Sequence, residues 1–115
     1  MDVSPEQIER SRRTIQAARV FADNSEAILA HVQKLPEDHV VVAVVTEDHV
    51  FAGVHHVSRL DLVERVPELE GPNGWSMLFS PGADQAHVTA RTDEMISLAD
   101  KRIEMMSRIA GRRKT

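Results

Sequence analysis

The sequence predicts an α+β domain: a small antiparallel sheet, made of a hairpin and a third strand, flanked by long N- and C-terminal helices and one short helix. Three observations lead there. His39–Val57 holds two apolar, β-branched runs on either side of Thr46-Glu47-Asp48-His49. The segments before Pro36 and after Ala83 space their apolar residues as a helix does. Trp75–Phe79, reading WSMLF, is a short apolar run bounded by Gly74 and by Ser80-Pro81-Gly82. The 115 residues suit one domain and can bury enough surface to fold unaided.

The first helix opens on Ser4-Pro5-Glu6-Gln7, with Ser4 as cap, Pro5 in the first turn and Gln7 at the capping-box position. Ile8, Ile15, Ala22 and Leu29, with Ala18 and Val32 beside them, give one face running to about Leu35, where Pro36 stops it. A single long helix keeps that stripe in phase; Asp23-Asn24-Ser25-Glu26 is the place where it would otherwise divide in two. Small residues at Ala18, Ala22 and Ser25 allow a close neighbour, but the seam lacks the large apolar pairs of a coiled coil, so packing on the sheet is expected. Arg10, Arg12, Arg13 and Arg19 make this helix locally basic, and Glu6/Arg10 and Glu9/Arg13 are favourable i,i+4 pairs.

In the hairpin, the Glu47-Asp48 turn lacks the glycine of a tight primed turn, so a four-residue loop is expected. That register sets Thr46 opposite His49, Val45 opposite Val50, Val44 opposite Phe51, Val41 opposite Val54 and His39 opposite His56. Both faces are apolar, so both need cover from helices or from a partner chain. Gly53 marks a bulge or a close backbone approach.

Ser58 then caps a short helix carrying Leu60, Leu62, Val63 and Val66 and ending near Pro67. Glu68–Gly74 reads as a surface loop, and Trp75 as a core lid, with ligand stacking as the sharper alternative. The last helix starts at Thr92, with Asp93 and Glu94 in its first turn, or earlier near Ala83. Met95, Ile96, Ala99, Ile103, Met106 and Ala110 form its stripe, Gly111 is its natural terminator, and Arg112-Arg113-Lys114 follow.

Composition excludes several functions. There is no cysteine, so no disulfide and no thiolate metal site. The net charge of −4 argues against a dedicated nucleic-acid binder, and aromatics at 3% offer few platforms for stacking bases. The start MDVSPEQ has no signal-peptide pattern and no apolar run spans a membrane, so a cytoplasmic protein is expected. No dinucleotide, phosphate-loop, zinc-protease or nucleophile-elbow motif occurs, and no carboxylate pair stands out as acid and base.

The polar feature of note is the histidine cluster His39, His55 and His56. His39 and His56 fall side by side in the expected register and His55 points the other way. Two imidazoles can begin a zinc site, but nothing in the sequence completes a ligand set, so no metal site is assigned. A pH-sensitive contact is a further reading. Candidate interaction residues lie at the C-terminal end: the adaptable Met95, Met105 and Met106 of the last helix, and the basic Arg112, Arg113 and Lys114 that follow it.

The segment VVAVVTEDHVFAGV resembles the opening hairpin of cytidine deaminases, as does the order helix, hairpin, helix, strand, helix. Leu62-Val63-Glu64-Arg65 resembles that family's Cys-Ala-Glu-Arg, and Ser80-Pro81-Gly82 falls where its Pro-Cys-x-x-Cys begins. The resemblance implies a degenerate relative without zinc chemistry, since no cysteine is present to hold the metal.

Together these features point away from an enzyme. They predict an interaction or assembly module without cofactor, pairing with itself as a two-fold dimer or with another protein. The alternatives are a small-molecule or metal binder using the histidines and the Gly71–Gly74 loop, and weak nucleic-acid binding through the early arginines and the basic tail.

Overall fold

A three-stranded antiparallel sheet, with His39–Val45 in the middle between Phe51–Ser58 and Trp75–Phe79, has helices on both faces. The computed structural model describes residues 5–113, with side chains through Ile109. Ser4 and Lys114 lie outside the described residues. The elements in order are α1 (Pro5–Asp23), α2 (Ser25–Val32), β1 (His39–Val45), β2 (Phe51–Ser58), a 3-10 turn (Arg59–Asp61), α3 (Leu62–Glu70), β3 (Trp75–Phe79) and α4 (Gln85–Arg113). The fold is α+β, as expected from the sequence.

β1 is central because its seven residues, HVVVAVV, are apolar on both sides and buried from Val40 to Val45. One face carries Val41, Ala43 and Val45 and packs with Trp75, Met77 and Phe79 against Phe21, Ile28 and Val88 of the helices. The other carries Val40, Val42 and Val44 and packs with Val57 and Leu78 against Leu62, Val66 and Leu69 of α3. Each fully buried valine contributes roughly 1.5–3 kcal/mol by leaving water. The hairpin's two apolar faces are therefore covered within the chain.

The hairpin register differs from the expected one. Thr46 closes the loop against Val50 rather than His49: Thr46 N–H donates to the Val50 carbonyl at 2.9 Å, and Val50 N–H to Thr46 Oγ1 at 3.2 Å. The loop is thus Glu47-Asp48-His49, turned by the His49 N–H donating to the Thr46 carbonyl at 2.9 Å and with His49 at φ 63. A bulge follows, because Val45 faces Phe51 while Val44 faces Gly53, leaving Ala52 extra. Gly53 sits at φ 107, where a side chain would be strained. Beyond the bulge Val41 faces His56 and His39 faces Ser58.

The N-terminal helix is divided, not continuous. Asn24 leaves helical geometry at φ −108, ψ 21, and its Nδ2 donates to the Val20 carbonyl at 2.8 Å. The break re-aims the chain, so the buried residues are Ser11, Ala17, Ala18 and Phe21 of α1 and Ile28 and Val32 of α2. Of the expected stripe, Ile8, Ile15 and Leu29 are half-buried and Ala22 is exposed.

Two other boundaries move. α3 runs through Pro67 to Glu70, where the Gly71 N–H donates to the Pro67 carbonyl at 3.0 Å and Gly71 takes φ 70. Ser58 makes no side-chain cap bond. α4 begins at Gln85, near the earlier of the two expected starts; Thr92, the other, is buried inside it, with Oγ1 donating to the Thr89 carbonyl at 3.0 Å. The cap is Asp84, whose Oδ1 accepts the His87 N–H at 3.1 Å while its own N–H donates to His87 Nδ1 at 3.1 Å. This reciprocal pair is a capping box with histidine in the usual Glu/Gln place. The backbone N–H of His87 first, and then its side chain, whose Nδ1 lies 2.7 Å from Oδ1, hold the Asp84 carboxyl below the usual carboxylate range. The stripe Met95, Ile96, Ala99, Ile103 and Met106 is buried or half-buried, and Gly111 lies within the helix rather than ending it.

Candidate functional site

Three surface regions gather side chains that could do chemistry or bind. The first is at the open end of the hairpin. His39 and His56 are not opposite one another; the three-residue loop slides β2 by one position and the bulge at Ala52 by one more. A slide of two preserves the face, so both still lie on the face of Val41, while His55, opposite Val42, lies on the other. His39 Nδ1 is 2.8 Å from the Glu37 carbonyl. The partner of His56 is His31 of α2: His31 Nδ1 and His56 Nε2 share a hydrogen bond of 2.9 Å, with the rings edge to face at 82°.

Sequence reasoning missed His31 because it treated the first helix as unbroken. Once Asn24 is a break, Ile28 and Val32 define the sheet-facing side of α2, and His31 falls on its shoulder.

Partial loss of hydration, and then the nearby charges of His31, His39 and Lys34, hold His56 below the ordinary imidazole value of 6.5. The folded chain therefore takes up fewer protons at this ring than the unfolded chain. Its stability contribution is intact above pH 6.5 and is lost as pH falls through the folded value. The denaturation midpoint of the wild type should fall between pH 7 and pH 5, and His56→Gln should flatten the slope in that interval. Parallel slopes for the two proteins would contradict this.

The second region surrounds Trp75. Its ring is 6% exposed, with Arg10 Cζ 4.0 Å from the ring centroid and the His49 ring stacked on it at 5.3 Å. Trp75 Nε1 donates to Thr14 Oγ1 at 3.1 Å, and His49 Nε2 to the Arg13 carbonyl at 3.1 Å. Arg10 also donates to the Asn73 and Gly74 carbonyls at 2.8 and 3.2 Å. Almost none of the ring is left for a ligand. The cluster fastens α1 to the start of β3.

The third region is the open side of β3. Beside it runs a groove of about 350 Å³ lined by Ser76, Met77, Arg91, Glu94, Met95 and Leu98. Farther along α4 lies a hollow of about 370 Å³ formed by Lys101, Glu104, Met105, Arg108 and Ile109. Leu98, Met105 and Ile109 are 49%, 62% and 38% exposed. Of the three candidate methionines, Met105 faces solvent, whereas Met95 and Met106 are half-buried and Met95 packs on the core. Arg112 and Arg113 lie in the last turn of α4.

No family model, curated protein or solved structure matches this chain.

The likeness to cytidine deaminases thus rests on the residues already named. Glu64 is exposed on α3, and Ser80, Pro81 and Gly82 form an exposed loop. Among the described residues no three His, Asp or Glu side chains are grouped to hold a metal ion. No described helix is long and apolar enough to cross a membrane. Of the early arginines, Arg10 is tied to the loop before β3 and Arg13 pairs with Glu9 at 3.9 Å; Arg108 of α4 pairs with Glu104.

Proposed function

We propose that this chain is a non-enzymatic assembly module that pairs with a second copy of itself about a two-fold axis, β3 against β3. The observation that carries this reading is the contrast between the two sheet edges. β2 has the devices that discourage pairing: a bulge at Ala52, Gly53 in a left-handed conformation and two adjacent histidines. β3 has none of them. WSMLF holds no charge and no proline, pairs with β1 without a register shift, and among the described residues has no other backbone partner.

An axis at Met77 sets Trp75 opposite Phe79 of the second copy and joins the two sheets into one of six strands. It also brings the α4 flanks together, so Leu98 and the groove beside it are covered in the same step. The flank carries both signs, Arg91 and Lys101 with Glu94 and Glu104, which suits a surface that must meet itself. Five-residue strands alone fall short of the ~800 Å² per partner of a stable interface, and the helix flank supplies the remainder.

Leu98→Glu tests the face. The site is half exposed, so the monomer fold should persist by circular dichroism. The dimer dissociation constant should rise at least about tenfold, equivalent to ~1.4 kcal/mol. An unchanged constant would show that β3 and α4 are not the interface.

A further inference from the structure

The His31–His56 contact has a chemistry that self-association does not use. Two ring nitrogens on different elements, Nδ1 of α2 and Nε2 of β2, lie 2.9 Å apart at the protein surface, His31 half-buried and His56 exposed. We infer that this pair is a bidentate site for a single borderline divalent cation of the copper, nickel and zinc type.

The geometry is close to what such a cation needs. Two metal–imidazole bonds of about 2.0–2.1 Å place their nitrogens about 2.8–3.0 Å apart at the right angle of a tetragonal copper(II) site, and about 3.3–3.4 Å apart at the tetrahedral angle of zinc. The observed 2.9 Å fits the first spacing, and the two rings need only turn so that both lone pairs meet at the metal, a movement that surface side chains make without moving the backbone. Each imidazole binds in its neutral form. His31 then carries its hydrogen on Nε2 and His56 on Nδ1, so the hydrogen of the present bond is relocated through solvent and none is lost from a neutral pair. The remaining positions on the metal are left to water or to a small exogenous ligand.

The surroundings decide which cations fit. Lys34 and His39 stand close enough to act on His56 electrostatically, and no carboxylate is among the groups that do. Hard ions such as calcium and magnesium, which bind through oxygen and charge, are disfavoured. Metals with a strong preference for imidazole nitrogen are retained, with copper(II) foremost.

The test is a titration of the full chain with copper(II) alone at neutral pH, read by calorimetry and by electron paramagnetic resonance. The expected result is one copper per chain with hyperfine structure from two imidazole nitrogens. His31→Asn and His56→Asn should each weaken binding at least about tenfold. His55→Asn, on the opposite face, should leave it unchanged. Absence of saturable one-to-one binding, or a titration unaltered in both His31→Asn and His56→Asn, would overturn the inference. Because neither residue lies on β3 or α4, the outcome is separable from the fate of the dimer.

Discussion

Phe21→Ala should destabilise the fold by about 3–5 kcal/mol, the range for removing a buried phenylalanine. Phe21 is fully buried and belongs to the cluster that joins α1 to the sheet through Val41, Ala43, Val45 and Met77. It also sits three residues before the Asn24 break, and its carbonyl accepts the Asn24 N–H at 3.1 Å. A cavity there weakens both the core and the point from which α2 is aimed. Urea denaturation followed by Trp75 fluorescence gives the measurement, since the single tryptophan lies in the same cluster. A loss below about 1 kcal/mol would mean that the site collapses without a cavity, contrary to the packing described.

Gly74→Ala should cost a comparable amount for the opposite reason. A Cβ there would stand 2.3 Å from the Glu70 carbonyl oxygen and 2.9 Å from that of Val45. Both are backbone atoms, so no side-chain rotation relieves the clash. Overpacking typically costs about 1–3 kcal/mol, and backbone obstruction places this substitution at or beyond the upper end. The displacement would reach Trp75, the first residue of β3, and the Gly74 carbonyl held by Arg10 at 3.2 Å. The same denaturation experiment should show the loss, together with a changed tryptophan emission. An unaltered midpoint would mean that the loop before β3 has slack that the contacts do not show.

The sheet was largely readable from the residues, and its register was not. β3 is delimited by Gly74 and Ser80-Pro81 as expected, and β1 announces itself by an unbroken β-branched run. The register failed because His49, a non-glycine residue, takes positive φ and lengthens the loop, and because the bulge that Gly53 signals was not carried into the pairing, which leaves Ala52 extra. The break at Asn24 falls within Asp23-Asn24-Ser25-Glu26, where a division was visible in the sequence; one helix was preferred because Ile8, Ile15, Ala22 and Leu29 stay in phase across it, although Ala22 ends up exposed. Of the two starts expected for α4, the one near Ala83 is close to the observed Gln85; the one at Thr92 fails because Thr92-Asp93-Glu94 has the composition of a cap but lies inside the helix, while the working cap uses His87 where Glu or Gln is usual. Pro67 did not end α3; the N–H it lacks would have met Val63, a residue 87% exposed.

These misplacements also shape the functional reading. From the residues alone, the two-faced hairpin is what asks for a partner. With α1, α2 and α4 on one face and α3 on the other, that demand is met within the chain. Among the described residues the surfaces left open include the edge of β3 and the flank of α4, features that depend on strand order and cannot be seen in apolar periodicity, as well as the exposed Leu60 and Val63 around the start of α3. His31 is hidden for a similar reason, since its neighbour His56 is reached only through the helix break and the bulge together.

Sedimentation equilibrium of the unmodified chain over a concentration series through the micromolar range bears most directly on the account. A reversible two-fold species, dissociating on dilution and lost in Leu98→Glu, is the expected result. A chain that stays monomeric at the highest concentration would show that the bare edge of β3 needs no second copy.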